Sequence, residues 1–243
     1  MSKINIHPKN EQQLKKIVSI FVILQIFNFL MRKVAYSLFT YIFIITSCLF
    51  CVVLSDSSQR YRFTQIGLIA TVGADFFLVF LPFQLKVPGM ICFCVTQTAY
   101  FLITYIDDEN LLRKKIHLLL RIAASVCSIV ITVFILGRRV DLLALLSVFY
   151  YANLILNVIF SYFQFKKLRV FAIALTLFIV SDTLIGFDNL SSYLLIPRGS
   201  IIFILKRLLT DWVMPLYLAA QMMIPMSLLP EKRKSLRTEN TDG

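Results

Sequence analysis

The chain has 243 residues, of which 58% are hydrophobic and only 16% charged, with a mean hydropathy of +0.79. A soluble domain of this length needs far more charge to coat its surface, so composition excludes a soluble globule and predicts a polytopic membrane protein. The net charge of +12 falls in short clusters between apolar runs, which is the pattern of Lys and Arg flanking membrane spans and not that of a nucleic-acid-binding face.

Residues 1–16 read as a basic, polar N-terminal tail. The first apolar segment, Ile17–Met31, ends at Arg32-Lys33 with no small-x-small cleavage site, so it is expected to be retained as a span. At 1.5 Å per residue it covers about 22 Å, short of the ~30 Å hydrocarbon core. Val34–Leu54 follows, preceded by Lys33 and carrying Ser37, Thr40 and Ser47 at helical spacing. The third segment, Phe63–Leu81, contains the run Gly67-Leu-Ile-Ala-Thr-Val-Gly-Ala-Asp75, and the fourth, Val87–Ile106, carries Gln97 and Tyr100 one turn apart. Ile116–Leu136 holds Arg121, Ser125, Ser128 and Thr132. Leu142–Phe163 holds Tyr150, Asn153, Asn157 and Ser161, with Gln164 following. The seventh segment, Val170–Phe187, contains Leu177-Phe-Ile-Val-Ser-Asp182-Thr, and the eighth, Leu208–Leu229, carries Thr210, Tyr217 and Gln221. The connection Phe187–Lys206 is expected to be solvated, and residues 230–243 are expected to be disordered and cytoplasmic.

Charge decides between eight spans and seven spans with a surface helix. With eight spans and the N-terminus inside, 16 Lys/Arg lie on the inner side and 8 in the outer loops, whereas laying the first segment on the surface divides the same clusters 12 to 12. The positive-inside rule therefore favours an all-α bundle of eight transmembrane helices with both termini cytoplasmic, in a bacterial inner membrane or the endoplasmic reticulum. Spans three and seven then run parallel, with Asp75 and Asp182 each 12 residues past the start of the apolar segment and both in the outer half. The Gln/Tyr pairs of spans four and eight echo one another as well, suggesting two parallel four-helix halves.

An aspartate in hydrocarbon costs several kcal/mol, so Asp75 and Asp182 are functional-site candidates, with a structural ion pair to Arg121 or Lys33 as the alternative. The polar residues at offsets of 3, 4 and 7 lie on single helix faces, which must turn inward because lipid offers no hydrogen-bond partner. Interhelical glue explains any one stripe. It does not call for two ionisable groups at matched depth. All five cysteines lie in apolar runs, and Cys48-x-x-Cys51 sits mid-span outside a redox context. With His7 and His117 the only histidines, no metal site and no cofactor is expected.

The ordered pieces Ile66-Gly-Leu-Ile-Ala-Thr-Val-Gly-Ala-Asp75-Phe-Phe-Leu, Gln97-x-x-Tyr100, Leu177-Phe-Ile-Val-Ser-Asp182-Thr-Leu-Ile and Tyr217-x-x-Ala220-Gln221 resemble the motifs of the YhhN-like membrane family, which includes the lysoplasmalogenases. The resemblance runs from about Arg32 to Ile224. Members of that family usually carry a His where this chain has Gln97 and Lys-Pro where it has Lys33-Val34. The resemblance implies hydrolysis of the vinyl ether bond of a lysoplasmalogen, giving a fatty aldehyde and a glycerophospho head group. That chemistry needs a neutral carboxylic acid to protonate carbon and a carboxylate to steady positive charge or activate water. Two carboxyls in a low-dielectric pocket do not readily both ionise, which suits Asp75 and Asp182 to this division, with the assignment open. Lys33, Gln97, Tyr100, Asn153, Tyr217 and Gln221 are the expected substrate contacts, Lys33 meeting the lipid phosphate as a point charge. A non-catalytic lipid-binding member of the same fold and a small proton-coupled transporter are the alternatives. A transporter would need a pH gradient, and a hydrolase would release aldehyde without one.

Overall fold

The computed structural model describes residues 11–54, 58–81, 85–190, 201 and 210–229, with 187–190 as helical backbone only. Their helices are α1 (Glu11–Met31), α2 (Tyr36–Val53), α3 (Gln59–Asp75), α4 (Lys86–Ile106), α5 (Leu111–Leu136), α6 (Leu142–Phe163), α7 (Phe165–Leu190) and α8 (Val213–Met226). Helices α1 to α7 are long and apolar enough to cross a membrane, and α8 is a shorter apolar helix entered through a 3-10 turn at Thr210–Trp212. The described chain is an all-α polytopic membrane bundle. The expected tail at 230–243 and most of the connection after Phe187 lie outside the described residues.

Local chemistry sets the helix ends. Ser58, Asn110 and Asp141 each accept a hydrogen bond from the backbone N–H three residues on, satisfying one orphan donor at the starts of α3, α5 and α6. Pro88 and Pro215 sit in first turns, where a missing N–H costs nothing. Gly137 ends α5 at a φ of 52°, a left-handed conformation that a side chain would disfavour. Helix α1 starts earlier than its apolar run, at Glu11, and the Glu11–Lys15 ion pair at 2.9 Å supports the polar first turns. Its 21 residues span ~31 Å, so the shortness of the hydrophobic stretch does not shorten the helix.

One irregularity was not legible in the sequence. Immediately after Asp75 the helix widens into a π-turn over Phe76–Phe80, closed by the Leu81 N–H donating to the Phe76 carbonyl at 3.0 Å. Tyr41 of α2 stacks on Phe80 at 4.9 Å, and Phe76 and Phe80 face each other at 5.8 Å. Such turns rotate the downstream face of a helix and recur at functional sites.

The helices pack as a ring. Helix α2 meets α3, α3 meets α4, α4 meets α6, α6 meets α7, α7 meets α8, and α8 returns to α2. Helices α1 and α5 pack outside it, on α2 and α6. Every contact therefore recurs four helices later, so α3 and α7 stand across the ring from one another. One end of the bundle is rich in Lys and Arg. There Arg60 donates to the Ser227 carbonyl at 2.8 Å and Tyr61 to that of Leu228 at 3.0 Å, while Lys167 donates to the Asp107 carbonyl at 3.0 Å. These bonds tie the start of α3 to the end of α8 and the start of α7 to the α4–α5 connection.

Candidate active site

Asp75 is the last residue of regular α3 and Asp182 lies 17 residues into α7, so both carboxyls sit ~24–26 Å from the basic ends of their helices. Asp75 is 2% exposed and accepts a hydrogen bond from the Tyr217 hydroxyl of α8. Asp182 is half-buried and accepts a hydrogen bond from the Tyr150 hydroxyl of α6. The two carboxyls lie within electrostatic reach of each other, and Tyr217 lies within reach of Asp182 and Tyr150. Both groups therefore face the ring's interior rather than lipid. Each acid is bound through one oxygen to one phenol.

Aromatic rings fix the two phenols. Tyr150 packs on Phe93 of α4 with centroids 5.5 Å apart, Phe93 meets Phe178 of α7 edge-on at 6.2 Å, and Phe178 meets Tyr217 at 5.3 Å. This chain of rings crosses the bundle and packs against both tyrosines. Tyr41, beside the π-turn, is also within electrostatic reach of Asp75.

One to two turns along α6 toward the basic end, a second polar cluster joins the outer helix α5 to the ring. Arg121 donates to the Asn153 side-chain carbonyl at 2.6 Å and to that of Asn157 at 2.5 Å, with His117 Nε2 3.4 Å away. Asn157 in turn donates to the Gln97 backbone carbonyl at 2.9 Å and to its side-chain carbonyl at 2.8 Å. Arg121 thus engages neutral amides and not the aspartates, and the aspartates take tyrosines.

Residues 36–228, the span from the start of α2 to just past the end of α8, match the YhhN family. The chain belongs to the YhhN family. That match takes in the whole ring and leaves α1 outside it. No curated protein and no solved structure matches the chain.

Among the residues this YhhN chain was expected to use, Asp75, Asp182 and Tyr217 come together in the ring interior. Gln97 and Asn153 belong to the Arg121 cluster. Tyr100 is fully buried and stands edge-on to Phe171 at 5.5 Å, and its hydroxyl has no protein partner. Gln221, one turn from Tyr217, is also fully buried with both ends of its amide unpartnered. Lys33 is exposed in the turn between α1 and α2 and is not brought to either cluster. Tyr150 is the site residue that sequence reasoning marked only as part of a stripe. Its position one turn from Asn153 on an inward face was the available signal. Among the described residues no three His, Cys, Asp or Glu side chains gather as a metal site, and the five cysteines are free thiols.

Proposed function

We propose that this YhhN-family protein is an integral-membrane hydrolase that cleaves the vinyl ether bond of a lysoplasmalogen, releasing a fatty aldehyde and a glycerophospho head group. The observation that carries the reading is that Asp75 and Asp182 lie within electrostatic reach of each other, each bound by one tyrosine. A neutral carboxyl delivers its proton to the β-carbon of the enol ether, and the C=C π pair forms the new C–H bond. The resulting oxocarbenium ion is steadied by the ionised partner. Water adds to the cationic carbon and gives a proton to that carboxylate. The hemiacetal then collapses: its hydroxyl proton passes to the carboxylate that first acted as acid, its C–O bond to glycerol breaks, and the glycerol oxygen takes the proton held by the partner, so that one water is consumed and both acids return to their starting states. The tyrosine bonds occupy one oxygen of each acid and leave the other for lipid or water.

On the positive-inside argument, the basic end faces the cytoplasm and the acid pair lies toward the opposite leaflet. Asp75→Asn and Asp182→Asn variants, purified in detergent and assayed for aldehyde release from a vinyl ether lysolipid, are each expected to lose about 100-fold or more in turnover. Full turnover in either variant refutes the mechanism. A second reading, lipid binding without turnover, is favoured by Gln97, whose amide is engaged by Asn157 and which cannot shuttle a proton. It predicts that wild-type protein binds the same lipid and releases no aldehyde.

A further inference from the structure

The α5–α6 interface contains a cation that packing alone does not require. At the matching interface of the other half, between α1 and α2, a neutral glutamine does the joining. Gln25 is 1% exposed, donates to the Phe43 carbonyl at 3.1 Å and to the Ser47 hydroxyl at 2.8 Å, and accepts from Thr46. At α5–α6 the same office falls to the guanidinium of Arg121, well inside a membrane span. Among the described residues no carboxylate lies within ion-pair distance of it; its side-chain partners are the two asparagine carbonyls, the His117 ring nitrogen and the face of the Phe101 ring 4.2 Å away. A buried charge without a counter-charge costs several kcal/mol.

The unused hydrogen-bonding capacity of the cluster has one sign. Arg121 Nε is buried with no partner, and so is the Nε2 amide of Gln97, a residue 1% exposed. Both are donors, whereas the acceptors around them are already taken: Asn153 and Asn157 Oδ1 by Arg121, and Gln97 Oε1 by Asn157. A formally positive site whose spare groups are all donors is complementary to an oxyanion. Position adds to this. Tyr150, Asn153 and Asn157 lie along one face of α6, with Asn153 ~4.5 Å and Asn157 ~10 Å beyond the tyrosine that holds Asp182. The three carbons of a glycerol backbone separate a phosphate from an sn-1 ether by a comparable span. A groove of about 440 Å³ between α5 and α6, lined by Asn110, Arg113, Ile116, Leu120, Leu156 and Phe160, lies on the basic-end side of the cluster, whose own residues do not line it.

We propose that Arg121 and Gln97, held in place by Asn153 and Asn157, form an oxyanion site that takes the phosphate of the lysolipid whose ether meets Asp75 and Asp182. The proposal rests on the lysolipid reading of the acid pair. It makes Arg121 a head-group specificity residue and gives the guanidinium its missing counter-charge when lipid is bound.

The test uses the full chain in detergent and three non-hydrolysable probes: a saturated 1-O-alkyl lysophospholipid, the matching 1-O-alkylglycerol without phosphate, and inorganic phosphate. Wild type is expected to prefer the phosphate-bearing lipid, and Arg121→Gln to reduce that preference about 10- to 100-fold, the loss of a charge-assisted hydrogen bond. Arg121→Lys, which keeps charge but not the fork, and Gln97→Met are expected to reduce it by less, and they serve if Arg121→Gln does not fold. An unchanged preference in the folded variants overturns the proposal. Inorganic phosphate binding with the same Arg121 dependence while the lysolipid shows none makes free phosphate the ligand and overturns it as well. Because the probes are not cleaved, an Arg121-dependent preference in a protein that releases no aldehyde refutes the hydrolase and keeps the site; aldehyde release without that preference does the reverse.

Discussion

Replacing Tyr217 by Phe isolates what its hydroxyl does for Asp75. The ring is held by Phe178 at 5.3 Å and is 4% exposed, so the substitution removes one oxygen without opening a cavity of any size. What is lost is a hydrogen bond to a carboxyl that is 2% exposed, and bonds to ionised groups contribute about 1.5–3 kcal/mol. That corresponds to about 10- to 150-fold if the bond is stronger in the transition state than in the ground state. The sign of the effect also identifies the acid. A phenol donor favours the ionised carboxylate, which develops in the transition state only on the group that gives up its proton. Tyr217→Phe and Tyr150→Phe should therefore differ: the variant serving the acid loses the full factor in kcat, and the other loses much less. Aldehyde release from a vinyl ether lysolipid, coupled to oxidation of NADH by an alcohol dehydrogenase, reads both. In the background of the matching Asp→Asn change the tyrosine substitution should add under about 0.5 kcal/mol. Unchanged kcat in both single variants refutes the reasoning.

Three further outcomes follow from the packing and the charged end. A Cβ on Gly67 would lie 2.4 Å from Cε1 of Tyr100, whose ring is fully buried against Phe171, so Gly67→Ala should destabilise by about 1–3 kcal/mol and lower Tm by several degrees; Gly186→Ala, with open space around it, should not. In the α4–α5 connection, Arg113 hydrogen-bonds the Asp108 carboxyl, the Asn110 N–H adds a second bond at 2.8 Å, and together they hold Asp108 below its ordinary 3.8. Its stabilising contribution is thus complete above that pH and is lost as acid titrates the folded form, so Asp108→Asn should lower Tm at neutral pH and flatten its fall on acidification below about pH 4. Gln25→Leu removes the side-chain bonds tying α1 to α2 at about 0.6 kcal/mol each, and should lower Tm modestly while leaving aldehyde release unchanged, since α1 lies outside the ring. Full retention of α1 packing in that variant, seen as unaltered protease protection of the N-terminal helix, would contradict it.

The amino-acid sequence by itself determined the solvent and the elements. An apolar chain with its cations between the runs must be a helical membrane bundle, because lipid accepts no unpaired backbone and only helices of this length satisfy theirs internally. Spacing also put Asp75 and Asp182 at one depth and turned the stripe of Tyr150, Asn153 and Asn157 inward, since offsets of 3, 4 and 7 fix a helix face whatever surrounds it. Spacing within a helix says nothing about which face meets which. Tyr217 reaches Asp75 across 142 residues and Tyr150 reaches Asp182 across 32, and only closure of the ring chose those partners over Arg121 or Lys33. The same closure left Arg121 among amides and set the π-turn after Asp75 against the Tyr41 ring.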